Sequence, residues 1–257
     1  MTNESAVPPA AELQAPASWR TADFISDLHL QASEPETFGA WRRYMRDTPA
    51  DVVFILGDLF EVWAGDDLAL EPGFAADCAA VLHAASRRLT VFFMHGNRDF
   101  LVGEGFLESC GATLLPDPTV LGFAGRRWLL THGDALCLSD TAYMRFREEV
   151  RAPAWQRDFL AKPMHERQAI ARDLRRQSES RKLSAIDYPD IDAAAAIAWL
   201  EAADAQALIH GHTHRPADHP LGKWSRTVLS DWDAAATPPR LEALRLTEAG
   251  PRRIALA

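Results

Sequence analysis

The chain has 257 residues, 47% hydrophobic and 25% charged, enough for one sizeable core or a core with an insertion. Its formal net charge of −9 argues against nonspecific nucleic-acid binding, which selects basic surfaces. No run of about 18 apolar residues is present to span a membrane, and Cys78, Cys110 and Cys137 lack metal spacing and cannot all pair, which fits a reducing compartment.

Residues 1–20 are rich in Ala and Pro, with no basic start leading into an apolar stretch, so a disordered tail and no signal peptide are expected there. Strand signals at 22–26, 51–56 and 90–94 then alternate with helix signals at about 36–46 and 73–88. This pattern predicts an α/β fold built on right-handed βαβ units. Short strands follow near 112–131, and strand-like runs return at 206–209, 225–230, 240–246 and 252–256. Between them, stretches at about 140–151, 154–161, 164–180 and 190–203 read as helices, a helical insertion over about 140–203 within a domain spanning 21–257.

Five apolar runs end in polar blocks: Ser26-Asp27-Leu28-His29, Gly57-Asp58, Gly96-Asn97-Arg98-Asp99, Thr131-His132-Gly133-Asp134 and Gly211-His212-Thr213-His214. Carboxylate, imidazole and amide groups are ligands for borderline divalent metals, and open α/β sheets bind ligands at the carboxyl ends of their strands. On an extended chain Asp27 and His29 point the same way and can converge on one metal. Asp58 has two oxygens and is the candidate bridge between two cations. Asn97 offers a neutral oxygen that leaves net positive charge on the metal. Arg98 stays protonated and presents a fork matched to phosphate, so it should clamp a phosphate and not donate a proton. His132, His212 and His214 complete the candidate ligands, while His95 and His210 read as structural and Asp99 as an orienting acceptor. Any one of these histidines alone would more often be structural; their joint placement at strand ends reverses that.

In this order the blocks resemble the signature of the calcineurin-like metallophosphoesterases, from about Asp23 to the C-terminus. The flanking residues Asp27-Leu28-His29-Leu30, Gly57-Asp58-Leu59-Phe60-Glu61-Val62-Trp63-Ala64-Gly65-Asp66-Asp67, Gly96-Asn97-Arg98-Asp99-Phe100-Leu101 and His210-Gly211-His212-Thr213-His214-Arg215-Pro216 are similar to the branch that cleaves UDP-2,3-diacylglucosamine in lipid A synthesis. The resemblance implies an α/β/β/α sandwich of two mixed sheets with a helical cap, and two divalent metal ions, typically Mn²⁺. It places Asp27, His29, Asp58 and His214 on one ion and Asp58, Asn97, His132 and His212 on the other. It also implies a catalytic set of Asp58, Asn97, Arg98, His132 and His212, with substrate contacts from Asn97, Arg98, His212, Asp140, Ser178 and Lys182. The spacing around 178–182 is shorter than the family's and lacks its intervening Asn. Two divalent ions about 3.5–4 Å apart would supply a nucleophile and neutralise the anionic diester. Arg98 stands where many members of the superfamily carry a His able to protonate an alkoxide. This favours pyrophosphate cleavage, whose leaving group is already a stable anion.

From Thr141 through Lys182 there are 11 Lys and Arg against 6 Asp and Glu, a local excess of five positive charges in an acidic chain. Basic amphipathic helices bind anionic membranes, and an acylated UDP-sugar must be lifted from one. The same residues could equally pack a cap onto the core and solvate its outer face. A cytoplasmic monomer, peripheral on the bacterial inner membrane, is the expectation. Two rivals stay open: a relative acting on a nucleotide or phosphoprotein, and a non-catalytic scaffold. The scaffold should lack a ligand, yet every ligand position is filled.

Overall fold

The computed structural model describes residues 7–184 and 190–256, with the backbone alone described at 177–184. In chain order the strands are β1 (Ala11–Gln14), β2 (Ala22–Ile25), β3 (Val52–Leu56), β4 (Thr90–Met94), β5 (Ala112–Leu115), β6 (Thr119–Phe123), β7 (Arg126–Leu130), β8 (Ala207–His210), β9 (Ala217–Leu221), β10 (Trp224–Val228), β11 (Glu242–Thr247) and β12 (Gly250–Ala255). The helices are α1 (Pro35–Asp47), α2 (Phe74–Ser86), α3 (Glu104–Ser109), α4 (Thr141–Arg151), α5 (Pro153–Leu160), α6 (Met164–Ser184) and α7 (Ala193–Ala202).

The strands form two six-stranded mixed sheets, ordered β12-β11-β2-β3-β4-β5 and β1-β6-β7-β8-β10-β9. In the first, β2, β3, β4 and β5 run parallel; in the second, β7, β8 and β10 do. A strand covered on both faces must be apolar at every position, and β3 is apolar and buried at all five. Its inner side chains join Phe24, Met94, Leu121, Leu130 and Ile209 in a core between the sheets. There Phe54 stacks on Phe24 at 5.0 Å and on Phe92 at 5.2 Å. Its outer side chains pack under α1 to α3, and α7 covers the outer face of the second sheet. Helix α1 shows why: Thr37, Ala40, Trp41, Tyr44 and Met45 fall on one buried stripe, behind a Pro in the first turn.

The tail expected to be disordered over 1–20 is partly ordered. Residues 11–14 form β1, in parallel register with β6 from Ala11 against Thr119 to Gln14 against Gly122. An open sheet edge supplies the partner that composition alone does not reveal. Residues 1–6 lie outside the described part. Among the described residues no helix is long and apolar enough to cross a membrane.

Candidate metal centre

Because β2, β3 and β4 are parallel in one sheet and β7 and β8 in the other, their carboxyl ends deliver the polar blocks to one edge of the sandwich. The loops are then stitched together. Leu28 and His29 donate their backbone N–H groups to the Asp58 carbonyl at 2.9 and 3.0 Å, and Gly211 N donates to the His132 carbonyl at 3.0 Å. Across the sheets, His212 N donates to the Asp27 carboxylate at 2.9 Å. Asp99 accepts from the backbone N–H groups of Gly96, Asp58, Leu59 and Phe60, and so acts as the orienting acceptor expected of it.

Asp27 and His29 do not converge by alternation on an extended strand. Both lie at positive φ, 56° and 49°, as do Asp58 at 53°, His212 at 66° and His214 at 51°. Among the described residues only Ala124 and Asp204 share this conformation without being glycine. Left-handed backbone costs of order 1–2 kcal/mol in an L-residue and gathers where function over-determines the geometry. The close approach requires glycine at 211, where a Cβ would collide with Ser26 and the Asp27 carboxylate.

All seven sequence-predicted ligands meet. Asp27, His29 and His214 offer ligand atoms within 4.8 Å of one another, as do Asp27, Asp58 and His132. Asn97 Oδ1 lies 3.0 Å from His132 Nε2 and 2.8 Å from His212 Nδ1, and His29 Nε2 lies 3.2 Å from His214 Nε2. The donor chemistry fits cations. His132 Nδ1 lies 2.9 Å from the Leu56 carbonyl, a contact that fixes the proton there and turns the Nε2 lone pair toward Asn97 Oδ1 and the Asp58 carboxylate, 3.7 Å away. With Nε2 unprotonated, acceptor faces acceptor in a buried place, an arrangement that a cation relieves. These Asp and His clusters fit a dimetal site.

Electrostatics agree. Burial alone would raise the Asp27 carboxyl, but His214, with His132 and His29, holds it well below the usual carboxylate range. Burial would lower His132, yet Asp58, Asp27 and Asp134 push it up to about 9, so with no cation bound the ring takes a proton on Nε2, the position that a metal would occupy. His212 goes the other way: burial and the neighbouring His132 take it to about 3.

Sequence reasoning missed Glu61. It lies 2.9 Å from His29 Nδ1, 2.9 Å from Arg175 Nε and 3.6 Å from Arg98 Nη1, so one buried carboxylate joins a candidate ligand, the phosphate-clamp candidate and a cap helix. Its signal was an acid alone in the apolar stretch from Leu59 to Ala64. Asp134 was missed as well. Fully buried beside His132, it accepts from Tyr143 Oη at 2.5 Å and Arg147 Nε at 2.8 Å, with Arg151 at 3.7 Å. Those three recur every four residues along α4, a face seeking an acid. The Tyr143 ring also lies against His212, centroids 6.1 Å apart.

Arg98 stands beside the cluster, its backbone N donating to Asp58 Oδ1 at 2.8 Å. Asp140 caps α4, accepting from Tyr143 N at 2.9 Å. Ser178 and Lys182 lie on α6, and their side chains are outside the described residues. His95 and His210 are engaged by the Val102 carbonyl and by Arg226, as structural histidines should be.

The fold and this centre define a phosphoesterase. The chain belongs to the calcineurin-like phosphoesterase family, whose profile matches residues 21–216. It is similar to the UDP-2,3-diacylglucosamine hydrolase of Ralstonia nicotianae, 46% identical over 237 residues that cover 88% of each chain. The proteins of the same name from Chromobacterium violaceum (46% over 218 residues, 81% of this chain and 89% of that one) and Cellvibrio japonicus (42% over 229, 83% and 95%) are similar too.

Proposed function

We propose that this protein hydrolyses the pyrophosphate of UDP-2,3-diacylglucosamine to UMP and 2,3-diacylglucosamine 1-phosphate in lipid A biosynthesis. It would use two Mn²⁺ ions and work as a monomer on the cytoplasmic face of the inner membrane. The names of its relatives support the substrate. The observation that carries the reading is adjacency: an apolar cavity of about 150 Å³, walled by Trp63, Phe100, Phe146, Trp155 and Leu174, meets the metal cluster at Asn97 and is also lined by the neighbouring Arg98 and Glu61. Its apolar lining suits part of an acyl chain, and an anhydride suits its polar end.

Asp27, His29, Asp58 and His214 would hold one ion, and Asp58, Asn97, His132 and His212 the other. When bound, the pair supplies activated solvent and charge neutralisation. The protein's own work is positioning. Arg98 orients a phosphate and donates no proton, because its guanidinium stays charged. Glu61 sets the ring of His29 and the approach of Arg98. Asn97, His212, Asp140, Ser178 and Lys182 would contact the substrate, the last three from a cap spanning about 140–203. Exposed Arg145, Arg157, Lys162 and Arg172, with Leu160 42% exposed beside them, suit an anionic lipid surface.

The test is hydrolysis by the manganese-loaded protein in oxygen-18 water. Label in UMP supports attack on the nucleotide-side phosphorus; faster turnover of an alkyl phosphate monoester than of the UDP-sugar would sink the reading.

A further inference from the structure

A second cavity, about 620 Å³, adjoins the metal cluster. It shares Glu61, Arg98 and Arg175 with the apolar cavity, but it meets the cluster at His29 and His214, whereas the apolar one meets it at Asn97. The two cavities therefore open on different ligands and are joined along one basic edge. We propose that this second cavity binds the nucleoside of the substrate. The assignment rests on the hydrolase reading above, since it asks where the half of the molecule opposite the acyl chains must go.

Past the shared edge the wall carries three carboxylates, Glu34, Glu36 and Asp233, against one cation, Arg240, beside Gln31 and Trp232. Carboxylates there repel phosphate but accept hydrogen bonds from ribose hydroxyls and from the imide N–H of uracil. The wall thus suits a neutral, donor-rich group tethered to an anion, and repels an acyl chain by desolvation of its charges. It is also preformed. Trp232 N donates to the Asp27 carbonyl at 3.1 Å, and Ala234 N to Thr37 Oγ1 at 3.2 Å. Gln31 Nε2 donates to Glu34 Oε1 at 2.6 Å, and Arg240 donates to both Asp231 and Asp233. The segments at 31–37 and 231–240 are thereby tied to each other and to a metal ligand, which reduces the ordering cost of binding. The volume lies within the roughly 300–1,000 Å³ of small-molecule sites.

Ser33 and Ala235 line this cavity and are exposed, so a large side chain at either fills space without entering the core. With the manganese-loaded full chain, Ser33→Trp and Ala235→Trp should raise KM for UDP-2,3-diacylglucosamine by about tenfold or more and weaken inhibition by UMP in parallel. Turnover of an analogue with methyl in place of uridine should be unchanged. Leu174→Trp, in the apolar cavity, should do the reverse, weakening inhibition by the acylated sugar phosphate and sparing that by UMP. Independently of any variant, light-activated 4-thio-UMP should attach to wild-type peptides covering 29–37 or 231–240. Attachment within 143–174, or unaltered KM and UMP inhibition in both variants while wild type cleaves the UDP-sugar, would overturn the nucleoside assignment alone. Failure of wild type to cleave the UDP-sugar would overturn the hydrolase reading and this proposal with it.

Discussion

The sandwich core and the helices at 141–184 solve opposite electrostatic problems. The core gathers buried carboxylates and imidazoles at one edge. The helices bring guanidinium groups, and the best placed of these face inward. Arg147 and Arg151 reach Asp134, Arg175 reaches Glu61, and buried Arg167 reaches Asp67 and the Ala64 carbonyl. The basic excess of this segment is therefore not simply a membrane-facing charge. Part of it neutralises buried acids, and among the described residues Arg145, Arg157, Lys162, Arg172 and Arg176 are exposed. Charge counting along a sequence cannot separate these uses, because it does not say which way a helix faces.

The sharpest break in this division is Asp58→Ala. Losing the carboxylate proposed to be shared by the two ions should cost several kcal/mol of transition-state stabilisation, about 10³-fold in kcat, and lower manganese content per chain in elemental analysis. Next is Arg147→Met, which leaves the Asp134 carboxylate buried with a weaker partner. Urea unfolding should register a loss of about 3 kcal/mol, whereas the same change at exposed Arg157 should stay within about 0.5 kcal/mol. Glu61→Gln should then lower activity or metal affinity about 10- to 100-fold, as loss of a carboxylate behind a ligand histidine does. Unlike Arg147→Met, it should leave global stability nearly intact. Per residue, the smallest effect belongs to the outer face. Replacing exposed Arg145, Arg157 and Arg172 by Ala should weaken binding to anionic vesicles by about 1 kcal/mol each, read by co-sedimentation, with soluble-substrate turnover unchanged.

Much of this was legible in sequence. The parallel strands announced themselves as apolar runs with polar ends, and the sheets deliver those ends to one place, so Asp27, Asp58, Asn97, His132 and His212 were readable as a set. The manner of convergence was not: positive φ at Asp27 and His29 replaces the alternation expected of an extended chain. Edge strands were harder. Residues 11–14 become β1 only because β6 offers a parallel partner, and β9 carries Asp218, His219 and Pro220, which suit an exposed edge but carry no strand signal. Glu61 and Asp134 stood inside recognised blocks, yet their partners come from helices 114 and 13 residues away, a pairing that no local pattern encodes.

The most direct measurement is anomalous diffraction from crystals of the manganese-loaded protein. Two peaks should flank the Asp58 carboxylate, one near His29 and His214 and the other near Asn97, His132 and His212. A single peak, or two peaks that do not share Asp58, would contradict a paired centre.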